Sequence, residues 1–141
     1  MTKKKVFVSF DYDNDRVYKY LLDAWDKNMN MDFAFDDCTS DEIQSWNIPT
    51  VKAALTRRIN TCSYMLVIVG AEANKKHKDA EQIGYRNWQN FEISRAKAAG
   101  LKLIAVKLDR SYESPSELLA SGATWAMSFT QSAIIKTLNE A

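Results

Sequence analysis

The sequence predicts an α/β fold: a doubly wound, five-stranded parallel sheet of order 2-1-3-4-5 with helices on both faces. Three observations carry that expectation. Short apolar runs alternate repeatedly with segments of helical periodicity, and parallel neighbours need crossover helices to connect them. The run Tyr64-Met65-Leu66-Val67-Ile68-Val69 is apolar at every position, as a central strand covered on both faces requires. The length, 141 residues, suits one domain (1–141) with one core.

Val6-Phe7-Val8-Ser9-Phe10 reads as the first strand, closed by the acidic stretch Asp11-Tyr12-Asp13-Asn14-Asp15. Val17, Leu21, Ala24 and Trp25 recur at three-to-four spacing, which predicts an amphipathic helix reaching Asn28. Asp13, Asn14 and Asp15 are placed to cap it, because their side chains accept bonds from first-turn amides. Phe33-Ala34-Phe35 is a short second strand ending in Asp36-Asp37, followed by a polar loop to Pro49. Val51, Leu55, Ile59 and Cys62 mark a second helix, with Pro49 in its first turn, where a missing N–H costs nothing. After the central strand a polar stretch, Glu72 to Gly84, leads to a third helix over Trp88–Ala99, with Gly100 suited to a left-handed cap. Leu103-Ile104-Ala105-Val106 is the fourth strand. Residues 111–122 form a loop with one helical turn, Trp125–Phe129 a weaker fifth strand, and Ile134, Ile135 and Leu138 belong to a terminal helix.

Composition narrows the function. Hydrophobic residues at 46% and charged residues at 26% exclude a disordered or collagen-like chain. Lys+Arg 19 against Asp+Glu 18 leaves a net charge of +1, so neither nucleic acid nor a membrane is an expected partner. Cys38 and Cys62 form no CxxC and have no histidine nearby, which argues against a disulfide scaffold, a zinc site or a cysteine hydrolase. The longest apolar run is too short to span a bilayer, and the start, Met-Thr-Lys-Lys-Lys, leads into a strand and not a signal-peptide core. The expectation is a cytoplasmic protein. With 4 glycines, no GxGxxG and no GxxxxGK[ST], a phosphate-cradling loop is hard to build.

In sheets of this order ligands sit at the carboxyl ends of the strands, where the order reverses between strands one and three. Function should gather near residues 10–15, 36–46, 70–73 and the start of the third helix. On a wheel of ~100° per residue with Trp88 at zero, Phe91, Arg95, Ala99, Ala96 and Ile93 make a largely apolar stripe. Glu92 falls at about 40°, in the middle of it. A carboxylate there must find a partner, snorkel or line a cavity, because burying it unpaired is costly. Two readings stand: Glu92 lines a site, or it is held by the helix dipole or by Arg95 at i+3.

Trp88-Gln89-Asn90-Phe91-Glu92-Ile93, on the helix after the central strand, resembles the Trp-x-x-x-Glu element of catalytic TIR domains. Val6-Phe7-Val8-Ser9-Phe10 is similar to that family's opening strand. Phe33-Ala34-Phe35-Asp36 with Trp46, and Arg57-Arg58-Ile59, resemble the TIR-like subgroup of bacterial Thoeris anti-phage systems. The likeness runs from Lys5 to Asp109. It implies a flavodoxin-like TIR fold that cleaves the nicotinamide–ribose bond of NAD, taken as substrate and with no further cofactor. By the resemblance, Glu92 is the catalytic residue, and Phe10, Asp11, Asp36, Trp46 and Trp88 are substrate-binding candidates. Self-association is implied, as is a separate effector protein reached through a (cyclic) ADP-ribose-type nucleotide. Core packing is the plain alternative for Phe10 and Trp46. The basic tract Lys75-Lys76-His77-Lys78 reads as a solvated loop.

Two other classes remain as alternatives. The first is a non-catalytic TIR-like interaction module. The second is a Mg²⁺-dependent phosphatase-like site, since Asp11 and Asp13 stand two apart after an apolar strand. Asp15 stands where phosphatases of that kind want threonine, and no later lysine with paired acids follows. Helix capping by these acids is the preferred reading, and no metal site is expected.

Overall fold

A computed structural model describes residues 4–26, 33–36 and 47–141; of Tyr12, Asp13, Asp26 and Asp36 only the backbone is described. The chain order is β1 (Lys4–Ser9), α1 (Tyr12–Asp26), β2 (Phe33–Asp36), α2 (Ile48–Asn60), β3 (Tyr64–Val69), α3 (Ala80–Ile83), α4 (Trp88–Ala99), β4 (Lys102–Lys107), a 3₁₀ turn (Ser116–Leu118), β5 (Thr124–Trp125) and α5 (Gln131–Glu140). The strands form one sheet of order β2-β1-β3-β4-β5, parallel throughout, as the sequence predicts. The order reverses where β1 pairs both β2 and β3, and Ser9 lies opposite Val67 there.

Strand alternation sorts the core into two layers. Phe7, Met65, Val67, Leu103 and Ala105 pack with Val51, Leu55, Phe91, Ile93 and Ala96 of α2 and α4. Val6, Val8, Phe10, Leu66, Ile68 and Ile104 pack on the other face with Leu22, Ile134 and Leu138 of α1 and α5. Within β1 this alternation sends Val6, Val8 and Phe10 one way and Phe7 and Ser9 the other. Helix ends follow the expected chemistry. Asn47 caps α2 by accepting from Thr50 N at 3.1 Å, and Pro49 sits in the first turn. Gly100 closes α4 with φ 78°, a left-handed conformation that a side chain would strain.

Three expectations are corrected. In α1, Val17 and Leu21 are 56% and 43% exposed and Ala24 is also exposed, while Asp15, Lys19 and Leu22 are buried. Both stripes have helical period; Trp25, from the predicted stripe, does turn inward, and with Tyr18 from the other it meets the Phe129 ring, at 5.6 and 4.9 Å respectively. In α4 the buried face includes Gln89 and Asn90 and leaves Ala99 exposed, so it is rotated away from Trp88 while still containing Glu92. The fifth strand pairs only over Thr124–Trp125, earlier and shorter than 125–129; Met127, 95% exposed, has nothing to pack against at this sheet edge.

Candidate active site

Ser9, the last residue of β1, faces α4 because of the alternation above. Its hydroxyl donates to Glu92 Oε1 at 2.7 Å. Ser9 is fully buried and Glu92 is 3% exposed. Burial raises the Glu92 pKa from 4.5 to about 8, against the opposing effect of the Ser9 bond. Arg95 does not pair with it; the guanidinium lies over the Phe91 ring, 5.8 Å from its centroid. Among the described residues Glu92 Oε2 accepts no hydrogen bond. One turn back, Gln89 Nε2 donates to Ser9 O at 3.3 Å and Ile68 O at 3.1 Å. That amide clasps β1 to β3 where their ladder ends. The carboxyl group is thus held inside the protein at the tip of the opening strand, on the strand pair where the sheet order reverses.

Residues 7–113 match the family described as Thoeris protein ThsB, TIR-like domain. The chain belongs to that family. It is a defence-associated TIR-like module. No curated protein matches it. Among solved structures, a 2-deoxyribosyltransferase from Bacillus psychrosaccharolyticus is similar at TM-score 0.57 and 9% identity, over 89% of this chain and 87% of that one. A 2-desoxiribosyltransferase from Leishmania mexicana is similar at TM-score 0.53 and 14% identity, over 75% of this chain. This chain spans 65% of the Leishmania protein's length. At these identities the likeness shows the fold alone.

The other residues singled out by sequence take different places in the TIR-like domain. Phe10 is buried with Val8, Leu22, Phe35 and Ile68 in the layer on the α1 face, whereas the Ser9 hydroxyl meets α4. Trp88 opens α4 half-buried, edge-on to Phe91 at 5.8 Å and to His77 at 6.4 Å. Asp36 pairs opposite Phe7 through its backbone. Trp46, and the side chains of Asp36 and Asp13, lie outside the described residues.

Asp11 belongs to an acidic group above the strand ends. Asn14 Nδ2 donates to Asp11 Oδ2 at 2.7 Å and to Glu72 Oε2 at 3.0 Å, linking α1 to the segment after β3. Beneath them Asp15 is 6% exposed, and its Oδ2 has no hydrogen-bond partner. A Cβ on Gly70 would come 1.9 Å from that oxygen, so a glycine is what lets α1 approach β3 here. Burial, then Asp11, then Glu72 raise the Asp15 pKa to about 6. The side chain therefore does not serve as the helix cap its position suggests. Among the described residues no three His, Cys, Asp or Glu side chains are grouped to hold a metal ion. No helix among them is long and apolar enough to cross a membrane.

The raised pKa makes Asp15 costly near neutral pH. The folded protein holds this proton between about pH 4 and 6 where the unfolded chain releases it, so stability falls as pH rises through that window. Asp15→Asn is expected to stabilise the domain by about 1–2 kcal/mol at pH 7 and by nothing at pH 3. Urea denaturation at the two pH values checks this.

Sequence reasoning passed over Ser9 and Gln89 as site residues, although both stand inside the quoted motifs. It also missed a buried asparagine network that fixes the start of α4. Asn87 Oδ1 accepts from Asn90 N at 2.9 Å, and Asn87 Nδ2 donates to Ala73 O at 2.8 Å. Asn90 Nδ2 donates to Asn74 Oδ1 at 3.1 Å, and Asn90 Oδ1 accepts from Glu117 N at 2.9 Å. An asparagine three residues before another, at the start of an apolar run, was the available signal for the cap.

Proposed function

We propose that the domain cleaves NAD at the nicotinamide–ribose bond, with Glu92 as the catalytic carboxylate. The observation that carries this reading is the placement of Glu92: inside the protein, at the tip of β1, held through one oxygen by Ser9 and, among the described residues, by no cation. The C1′–N1 bond breaks with its electron pair going to the ring nitrogen, so nicotinamide leaves neutral and needs no acid. Positive charge develops on the ribose, where a preorganised carboxylate in a dry site is most effective. Water, or another nucleophilic atom of the same nucleotide, then bonds to C1′ and releases its proton to solvent, which gives the ADP-ribosyl product or its cyclic form. On this reading the domain would work self-associated, and its nucleotide product would act on a separate effector during phage infection; membership of the Thoeris ThsB family supports this part of the proposal.

The carboxylate form is the one that stabilises a cation, and burial disfavours that form in the free protein. We therefore expect kcat/KM to rise about tenfold per pH unit below about pH 8 and to level off above it. The kcat profile should level off at lower pH, because the bound pyridinium cation favours the ionised acid. A flat kcat/KM between pH 6 and 8 would contradict this assignment.

A non-catalytic interaction module is the second reading, favoured by the near-complete enclosure of Glu92. Expressing the chain in cells with and without Glu92→Gln, infecting them and assaying nicotinamide and ADP-ribosyl products separates the two. The enzymatic reading expects both products from the native chain and neither from the variant. Equal amounts from both would remove Glu92 from its role, and no product from either would favour the module.

A further inference from the structure

We infer that Ser9 is a positioning residue for Glu92: its hydroxyl, fixed at the strand end by the Gln89 clasp, turns Oε1 inward and leaves Oε2 as the oxygen offered to substrate. The inference rests on the proposed catalytic role of Glu92, and its geometry stands on three hydrogen bonds. Ser9 is held twice by α4, through its carbonyl by Gln89 and through its hydroxyl by Glu92. Gln89 also holds Ile68 O, so the serine cannot shift without opening the end of the β1–β3 ladder. All three side chains are buried, where a single donor decides orientation because no water competes.

The two carboxyl oxygens are thereby made unequal. Oε1 accepts from Ser9, so the titrating proton of Glu92 resides on Oε2. When a cationic ribosyl substrate binds, that proton leaves to solvent and Oε2 carries the charge facing the sugar. The charged groups nearby do not share this duty. Arg95 on α4 and Lys52 on α2 both lie over the Phe91 ring. Asp11, Asp15 and Glu72 form their own group at the strand ends. Among the described residues, burial raises the Glu92 proton affinity and the Ser9 bond lowers it.

The test titrates Glu92 by carbon NMR of the side-chain carboxyl in the full chain, free of substrate, in the native protein, Ser9→Ala and Ser9→Thr. Removing a donor to a charged acceptor should raise the midpoint by about one pH unit in Ser9→Ala, while Ser9→Thr, which keeps the hydroxyl, restores it. In turnover, Ser9→Ala should lose about tenfold in kcat/KM at pH 7 and recover as the pH passes 9. A purely structural role would lower the rate by one factor at every pH. An unmoved midpoint in Ser9→Ala, or a pH-independent loss of rate, overturns the inference. A moved midpoint with no NAD cleavage by any variant upholds the Ser9–Glu92 coupling and removes the NAD reading instead.

Discussion

Glu92→Gln should lose nicotinamide release by about 10²–10³-fold and yet melt at a higher temperature than the native domain at pH 8. The two effects have one cause. A carboxyl group whose pKa is raised to about 8 keeps its proton in the folded state while the unfolded chain gives it up above about pH 4.5. Native stability is therefore fully present below pH 4.5 and declines as pH rises towards 8. Each pH unit in that window is worth about 1.4 kcal/mol, so the whole decline is a few kcal/mol. Glutamine cannot ionise, still offers its carbonyl oxygen to the Ser9 hydroxyl, and should escape most of it. Calorimetry should show a gain of roughly 5–10 °C at pH 8 that shrinks to nothing at pH 4. A variant less stable than the native chain at both pH values would mean that Glu92 is a structural acid and not a strained functional one.

Asn90→Ala is expected to have the largest effect on stability away from the carboxylate. Asn90 is fully buried and joins three segments: the cap at Asn87, the Asn74 side chain and the Glu117 amide. Alanine keeps the helix but strands the Glu117 N–H and removes the amide donor shared by Asn87 Oδ1 and Asn74 Oδ1, which keep Asn90 N and Ser116 as their other donors. Buried polar groups stranded in this way cost about 1–3 kcal/mol each. We expect a loss of about 3 kcal/mol and a melting temperature lower by roughly 10 °C. Because neither Ser9 nor Gln89 touches this network, turnover well below the melting point should change by less than threefold. A variant that melts like the native domain would show that water replaces these bonds freely.

The fold was legible because it rests on period and on covered faces. The apolar Tyr64–Val69 run, the Val51–Leu55–Ile59 spacing and the Gly100 cap each state one physical requirement, and each is met. What failed was the choice of face. Val17 and Leu21 repeat as regularly as Tyr18 and Leu22, and only the sheet decides which stripe it covers. Glu92 was legible as a carboxylate at a helical position that turns inward. Its partner was not, since nothing in periodicity says that the last residue of β1 rises beneath the first turns of α4. The asparagine network was invisible for the same reason: the pattern marks polar residues as surface, and these are buried because each finds another. The position of Asp15 suggests a cap, but packing against Gly70 places its side chain in the interior instead.

A crystal structure of the domain with a carbocyclic NAD analogue that cannot be cleaved tests the central claim most directly. The account predicts the nicotinamide-side ring carbon within about 4 Å of Glu92 Oε2, with the Ser9 bond to Oε1 intact. An analogue bound elsewhere, or bound with Glu92 still sealed from it, would contradict the account.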